Sequence, residues 1–251
     1  MSSTSSEAGT TQRSSAVANA LAADLRRQIV TGKLALGTRL PPEPEMRERF
    51  SVSRATLRSA FRVLESEGLL KIHRGARGGA EVIHPPATTA ARYFGLLLQT
   101  QGATLADFQA ARQILEPPLA ALLAANADGD AVKRLREAVD AEAAVVNDPE
   151  RYGHATVRFH ELVAELSGSS TLWVVMDLID GVLQRHTEVR IREEARQPEL
   201  RKGHRAHARL VDLVEAGDAN GARALWEAHV EEIGTALLRG TGRSKVVDLF
   251  D

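Results

Sequence analysis

Between residues 53 and 67 two residue types recur at helical spacing, and this segment constrains the chain most. Leu57, Ala60, Phe61 and Leu64 follow the i, i+3, i+4, i+7 pattern of a buried stripe, while Arg54, Arg58 and Arg62 recur every four residues as a second, solvent-facing stripe. Ser53 stands where an N-cap belongs, and Gly68 where the helix stops. Upstream, Val17, Leu21, Leu25 and Ile29 at i+4 spacing predict a helix over residues 15–31, and a glycine- and proline-punctuated loop follows over 32–42. A short helix over 43–50 and a turn at Ser51-Val52 complete the approach to Ser53. Short helix, tight turn and longer basic-faced helix are the layout of a helix-turn-helix. Residues 69–73 and 80–84 alternate as strands around the tip Arg74-Gly-Ala-Arg-Gly-Gly79, which adds a wing.

The charges agree with that layout. The formal net charge is −1, yet residues 14–84 hold twelve Lys/Arg against seven Asp/Glu, leaving the remainder acidic. A basic module on an acidic one implies that only the first meets a polyanion. Cysteine is absent, which excludes disulfides, thiolate nucleophiles and cysteine zinc sites. Aromatic residues are only 4% while Ala and Leu abound, a composition that favours helices. No apolar run is long enough to span a membrane and the N-terminus has no apolar signal core, so a cytoplasmic protein with no membrane partner is expected.

The expected organisation is a disordered Ser/Thr/Gly-rich tail (1–13), a winged helix-turn-helix (14–84), a linker (85–87), an all-helical domain (88–240) and a loose C-terminal tail (241–251). The fold class is therefore mainly α. Seven helices are expected in the larger domain, at about 88–99, 104–126, 129–146, 149–167, 170–190, 197–216 and 219–239. Pro117-Pro118 falls inside the second, where a kink or break is expected.

Three of those helices carry a histidine on or beside an apolar stripe. His207 shares one with Leu200, Val211 and Val214; His229 with Leu225, Trp226 and Ile233; His160 borders Phe159, Leu162, Val163 and Leu166. Each alone reads as a hydrogen-bonded core histidine. Three imidazoles aimed at one bundle core also suit zinc or a similar metal. Arg112 lies on a stripe with Leu105, Phe108 and Leu115, where its charge needs a partner. That partner is either Glu116, one turn on, or the carboxylate of a bound ligand held bidentately. No G-x-S-x-G elbow is present, and the glycine tip lacks the Lys-Ser/Thr of a phosphate loop, so His73, Arg74 and Arg77 read as wing contacts.

The run GKLALGTRLPPEPEMRERFSVSRATLRSAFRVLESEGLLKIHRGARGG resembles the DNA-binding domain of the GntR family of bacterial transcription regulators. One departure stands out here: Pro44 replaces an arginine that contacts DNA in that family, while Arg47 lies one turn beyond. The resemblance continues in Asp107-Phe-x-x-x-Arg-x-x-Leu-Glu116, Phe159-His160, His207 and His229, which are similar to the C-terminal domain of the FadR subfamily. Its seven-helix count fits as well. That resemblance implies a divalent metal held by His160, His207 and His229, and an effector pocket containing Arg112. It also implies an aspartate one turn before His160, where this chain has Thr156, and a small-Gly-Asn where it has Ser167-Gly168-Ser169. With imidazoles as the protein ligands, zinc or nickel is favoured over magnesium or calcium.

The expected function is a ligand-responsive regulator: a homodimer that represses from a palindromic operator in double-stranded DNA and is released by a small carboxylate, such as an organic, sugar or amino acid. Ser53, Arg54, Thr56 and Arg58 are the expected contacts from the recognition helix, with Arg74 and Gly75 from the wing. Two alternatives remain: a constitutive DNA-binding protein whose helical domain only dimerises, and a metal-dependent enzyme built on the three histidines.

Overall fold

A computed structural model describes residues 4–74, 79–84, 87–194 and 197–239. Among these it contains ten helices and one two-stranded antiparallel sheet, divided between two compact units at residues 89 and 90.

The first unit contains α1 (Thr4–Val30), α2 (Glu43–Phe50), α3 (Arg54–Ser66), β1 (Leu70–His73) and β2 (Gly79–Val82). The helix expected from residue 15 starts at Thr4, so residues 4–13 of the expected tail lie on it, while residues 1–3 fall outside the described residues. No proline interrupts residues 4–13, and extending a helix already nucleated adds one hydrogen bond per residue ordered. The buried stripe of α1 is Ala18, Leu21, Ala22, Leu25 and Ile29, with Val17 turned to solvent. It packs with Met46, Leu57, Ala60, Leu64, Leu70 and Val82 in one core. An ion pair ties α1 to the end of α3, with Arg26 Nε and Nη2 donating to the Glu67 carboxylate at 2.8 and 2.6 Å.

The turn between α2 and α3 is built from capping. Ser51 closes α2 in the left-handed region at φ 50°, and Ser53 Oγ accepts the Thr56 N–H at 3.1 Å to open α3. The strands pair Leu70 with Val82 and His73 with Gly79, and residues 37–40 bond along the other edge of β2. The wing tip, residues 75–78, lies outside the described residues.

The second unit is helical throughout: α4 (Ala87–Thr100), α5 (Leu105–Asn126), α6 (Gly129–Val145), α7 (Pro149–Glu165), α8 (Ser170–Glu194), α9 (Gln197–Glu215) and α10 (Ala219–Leu238). The expected tail 241–251 falls outside the described residues, as do residue 240 and residues 85–86 of the expected linker, while Ala87 already begins α4. Side-chain caps fix four of the starts: a Thr104–Asp107 capping box for α5, then Asp128, Asp148 and Asp218 for α6, α7 and α10. Of the kink or break expected at Pro117-Pro118, the break does not occur, since α5 runs on to Asn126 with both prolines inside it. The carbonyls deprived of helical donors belong to Gln113 and Ile114, both exposed and so open to solvent. Phe159 and Trp226 form the centre of the main core with Leu123, Leu135, Leu210 and Val230. Helices α5 and α10 approach closely, and Gln109 Nε2 donates to the Val230 carbonyl at 2.7 Å beside Gly234.

Candidate metal centre and nucleic-acid interface

Helices α7, α9 and α10 bring His160, His207 and His229 together, with one ligand atom of each within 4.8 Å of the others. The converging atoms are the Nε2 nitrogens: His229 Nε2 lies 2.9 Å from that of His207 and 3.4 Å from that of His160. Two buried carboxylates stand behind the rings. Glu142 of α6 meets His207 Nδ1 at 2.8 and 2.9 Å with its two oxygens, and Glu116 of α5 meets His160 Nδ1 at 3.0 Å. A carboxylate accepting an Nδ1–H holds the ring in the tautomer whose Nε2 carries a lone pair. His207 and His160 therefore both aim lone pairs at His229 Nε2. One proton on that atom serves one of them, whereas a metal ion accepts from all three.

Burial governs the ionisation of the centre. It depresses His160, His229 and His207, the last to about 3, and neighbouring imidazoles add to the depression of His229. Neutral imidazole is the form a metal needs. Burial pushes Glu142 up to about 7, opposed by His160 and His204. Glu116 also feels burial, but the Arg112 charge and the His160 hydrogen bond hold it well below the usual carboxylate range. Trp226 Nε1 donates to Glu116 at 3.1 Å, and Phe159 stacks on His207 with ring centroids 4.3 Å apart.

The donor set fits a transition dication better than calcium or magnesium, because the three inward-facing atoms are nitrogens and the carboxylates hold the rings from behind. Thr156, one turn before His160, brings no charge. The Tyr152 hydroxyl lies beside it, buried and without a well-formed hydrogen bond.

Arg112 is buried, and its partner is the internal one: Nε donates to Glu116 Oε1 at 2.5 Å. Asp180 Oδ1 is 4.0 Å from the same Nε, and Nη2 is 3.5 Å from His160 Nδ1. Burial raises the Asp180 carboxyl to about 7 despite the nearby guanidinium. The arginine predicted for a ligand pocket thus stands beside the histidine centre, already bound to a carboxylate.

On α3, Arg54, Arg58 and Arg62 line a shallow surface concavity with Ala55 and Ser59. Arg54 Nε donates to Glu43 Oε1 at 2.7 Å, and Arg58 Nε lies 3.5 Å from the other oxygen. Ser53 is exposed at the N-cap. Thr56 departs from expectation: it is buried, its N–H and hydroxyl both engage Ser53, and its hydroxyl is 2.8 Å from Ser53 Oγ. It serves the helix start, and position 56 lies four residues before the buried Ala60, on the same helix face. Arg74 is exposed at the end of β1, while Gly75 and Arg77 lie outside the described residues. Pro44 occupies the first turn of α2, where a missing N–H costs nothing, and Arg47 is exposed one turn on.

Sequence reasoning missed Glu142 and Asp180. Glu142 had a signal, since it continues the α6 stripe of Ala131, Leu135 and Ala138. A charged residue on a buried stripe announces a partner.

A winged helix-turn-helix carrying a separate helical domain with a buried charged centre defines a ligand-responsive DNA-binding regulator. The sequence comparisons agree. Residues 17–80 match the model for bacterial regulatory proteins of the gntR family and residues 107–232 the FCD domain model, so the chain belongs to the gntR family and carries an FCD domain. It is 31% identical over 226 residues to an Escherichia coli (strain K12) protein named "Putative L-lactate dehydrogenase operon regulatory protein", covering 86% of this chain and 85% of that one. It is 26% identical over 214 residues to the HTH-type transcriptional repressor NanR of Enterobacter sp. (strain 638), covering 84% and 81%. The fold matches that of Streptococcus agalactiae GntR, with a TM-score of 0.71 at 20% identity, over 87% of this chain and 99% of that one. These relatives are transcription regulators, and the reading as a three-histidine enzyme gives way to theirs.

Proposed function

We propose that this regulator is a cytoplasmic homodimeric repressor that binds a palindromic operator and is released by a small carboxylate effector meeting a zinc or nickel ion at His160, His207 and His229. The observation that carries this reading is the convergence of three Nε2 atoms with the Arg112 guanidinium alongside, its Nη2 3.5 Å from His160. A bound dication supplies a Lewis-acidic centre for an anionic oxygen. The three imidazoles are neutral ligands, so the loaded centre keeps a positive charge that an anion satisfies. Arg112 keeps terminal N–H groups beyond the one given to Glu116, and these offer the effector a second contact. A relative named for a lactate dehydrogenase operon is consistent with a small hydroxy acid, one member of the carboxylate class. The exposed Tyr93 and Leu97, one turn apart on α4, offer an apolar strip that suits a second copy.

On the DNA side, Ser53, Arg54 and Arg58 face the major groove and Arg74 with Gly75 the flanking backbone or minor groove, with Thr56 acting through the cap of α3. An electrophoretic shift of a duplex from the upstream region of its own reading frame, with and without a panel of organic, sugar and amino acids, tests the proposal. Release by one carboxylate class supports it. Retention of the shift with every acid, by metal-loaded protein, leaves a constitutive DNA-binding protein instead.

A further inference from the structure

We infer that Glu142 is the carboxylate that makes the histidine centre competent to hold a metal ion, orienting His207 and supplying the negative charge that the ligand set lacks. The inference rests on the metal reading of that centre.

Glu142 is fully buried, on the face of α6 that carries Ala131 and Leu135 into the core. A carboxylate there is costly unless a positive charge compensates it. Among the described residues no lysine or arginine does so; its ion-pair partners are His204 and His207. His204 Nδ1 stands 3.5 Å away, and both carboxylate oxygens lie closer to His207 Nδ1, at 2.8 and 2.9 Å. Glu116 differs, since Arg112 and Trp226 already stabilise its charge. The opposite side of the His207 ring is Nε2, which faces the other two histidines. A cation at that face is the compensating charge that the Glu142 environment is missing. On α7 the position one turn before His160 is Thr156, whose hydroxyl brings no charge, and neither does the neighbouring Tyr152.

A purely orienting role makes a different prediction, because a glutamine oxygen accepts the same Nδ1–H without bringing charge. The test is a competition titration of zinc against a chromophoric chelator, on full-length parent, Glu142→Gln and Glu142→Gln/Thr156→Asp proteins stripped of metal. Far-UV circular dichroism and melting of each metal-free protein control for folding. Glu142→Gln should weaken zinc by about 10–100-fold, and the added aspartate should recover most of that loss. Glu142→Gln binding as tightly as a zinc-binding parent overturns the inference. So does a loss that Thr156→Asp leaves uncorrected in a folded protein, because charge would then not be what Glu142 brings. A parent that takes up no zinc instead overturns the metal reading beneath it.

Discussion

His207 and His229, both buried, face each other through their Nε2 atoms at 2.9 Å. Two lone pairs at that distance repel, so one atom carries a proton or both share a cation. The carboxylate behind His207 takes the proton of its other nitrogen, and the next lone pair, on His160, stands 3.4 Å from His229.

The DNA-binding account predicts a particular loss at Arg54. In the free protein its guanidinium leans on Glu43 and is otherwise exposed. Arg54→Ala should cost about 1–3 kcal/mol of operator affinity and relax specificity at one base pair. Arg47→Ala, removing an exposed charge one helix away, should weaken all sequences alike and lower the salt dependence. Quantitative shifts on an operator and its single-base variants check both. Arg54→Ala protein that binds its operator as tightly as the parent at physiological salt would sink the docking.

Arg112 has two duties in this account, and two substitutions separate them. Arg112→Ala strands the buried Glu116 charge and should cost about 3 kcal/mol of stability, the lower end for a broken buried pair, since Glu116 keeps Trp226 and His160. Arg112→Lys keeps the charge but loses the planar fork. It should fold and bind DNA like the parent while responding more weakly to the effector, as read by melting and by effector-dependent release. A Lys variant released as readily as the parent would make Arg112 structural alone.

The acid dependence of the metal-free protein follows from opposed shifts. The three histidines lie below their ordinary 6.5 in the fold, so the unfolded chain takes up protons first and stability falls as pH drops below 6.5. Glu142 and Asp180, each raised to about 7, act the other way: the folded protein protonates them first, which adds stability as pH falls from 7 toward 4.5 and 3.8. Removing Glu142 as Gln should therefore steepen the fall in melting temperature between pH 7 and 5. Replacing His229 with Asn should make it shallower. Parallel curves for all three proteins would contradict the assignment.

What could be read from sequence was local. Ser53 caps α3 three residues from its donor, and the stripes of α3 repeat within a few turns, so spacing alone located them. The three histidines were legible as stripe members, though not their 2.9 and 3.4 Å approach. Glu142 and His207 are 65 residues apart, and only the packing of α6 on α9 joins them. Local rules reached less far elsewhere. The proline pair left a kink or a break open, and the helix continues through it with Gln113 and Ile114 exposed; proximity to the N-terminus of α3 put Thr56 among the DNA contacts, although its side chain is buried.

Close helix approach yields a stability prediction with an unusual sign. Gly→Ala inside a helix ordinarily stabilises by about 1 kcal/mol. At Gly234 a Cβ would stand 2.3 Å from three side-chain atoms of the buried Gln109. Gly234→Ala should therefore destabilise by about 1–3 kcal/mol through overpacking, and Gln109→Ala in the same chain should recover part of that. Urea denaturation of the single and double variants checks it; a stabilised Gly234→Ala protein would mean that α5 and α10 are farther apart.

The central claim is that His160, His207 and His229 are ligands and not merely neighbours. Elemental analysis of the full-length protein, purified without chelator or a metal-affinity tag, tests it most directly. The account predicts close to one equivalent of a transition metal, zinc or nickel, which disappears when His207 and His229 are replaced together. Only trace metal in the parent, with no rise in melting temperature when zinc or nickel is added to it, would contradict the claim and leave three histidines sharing a proton.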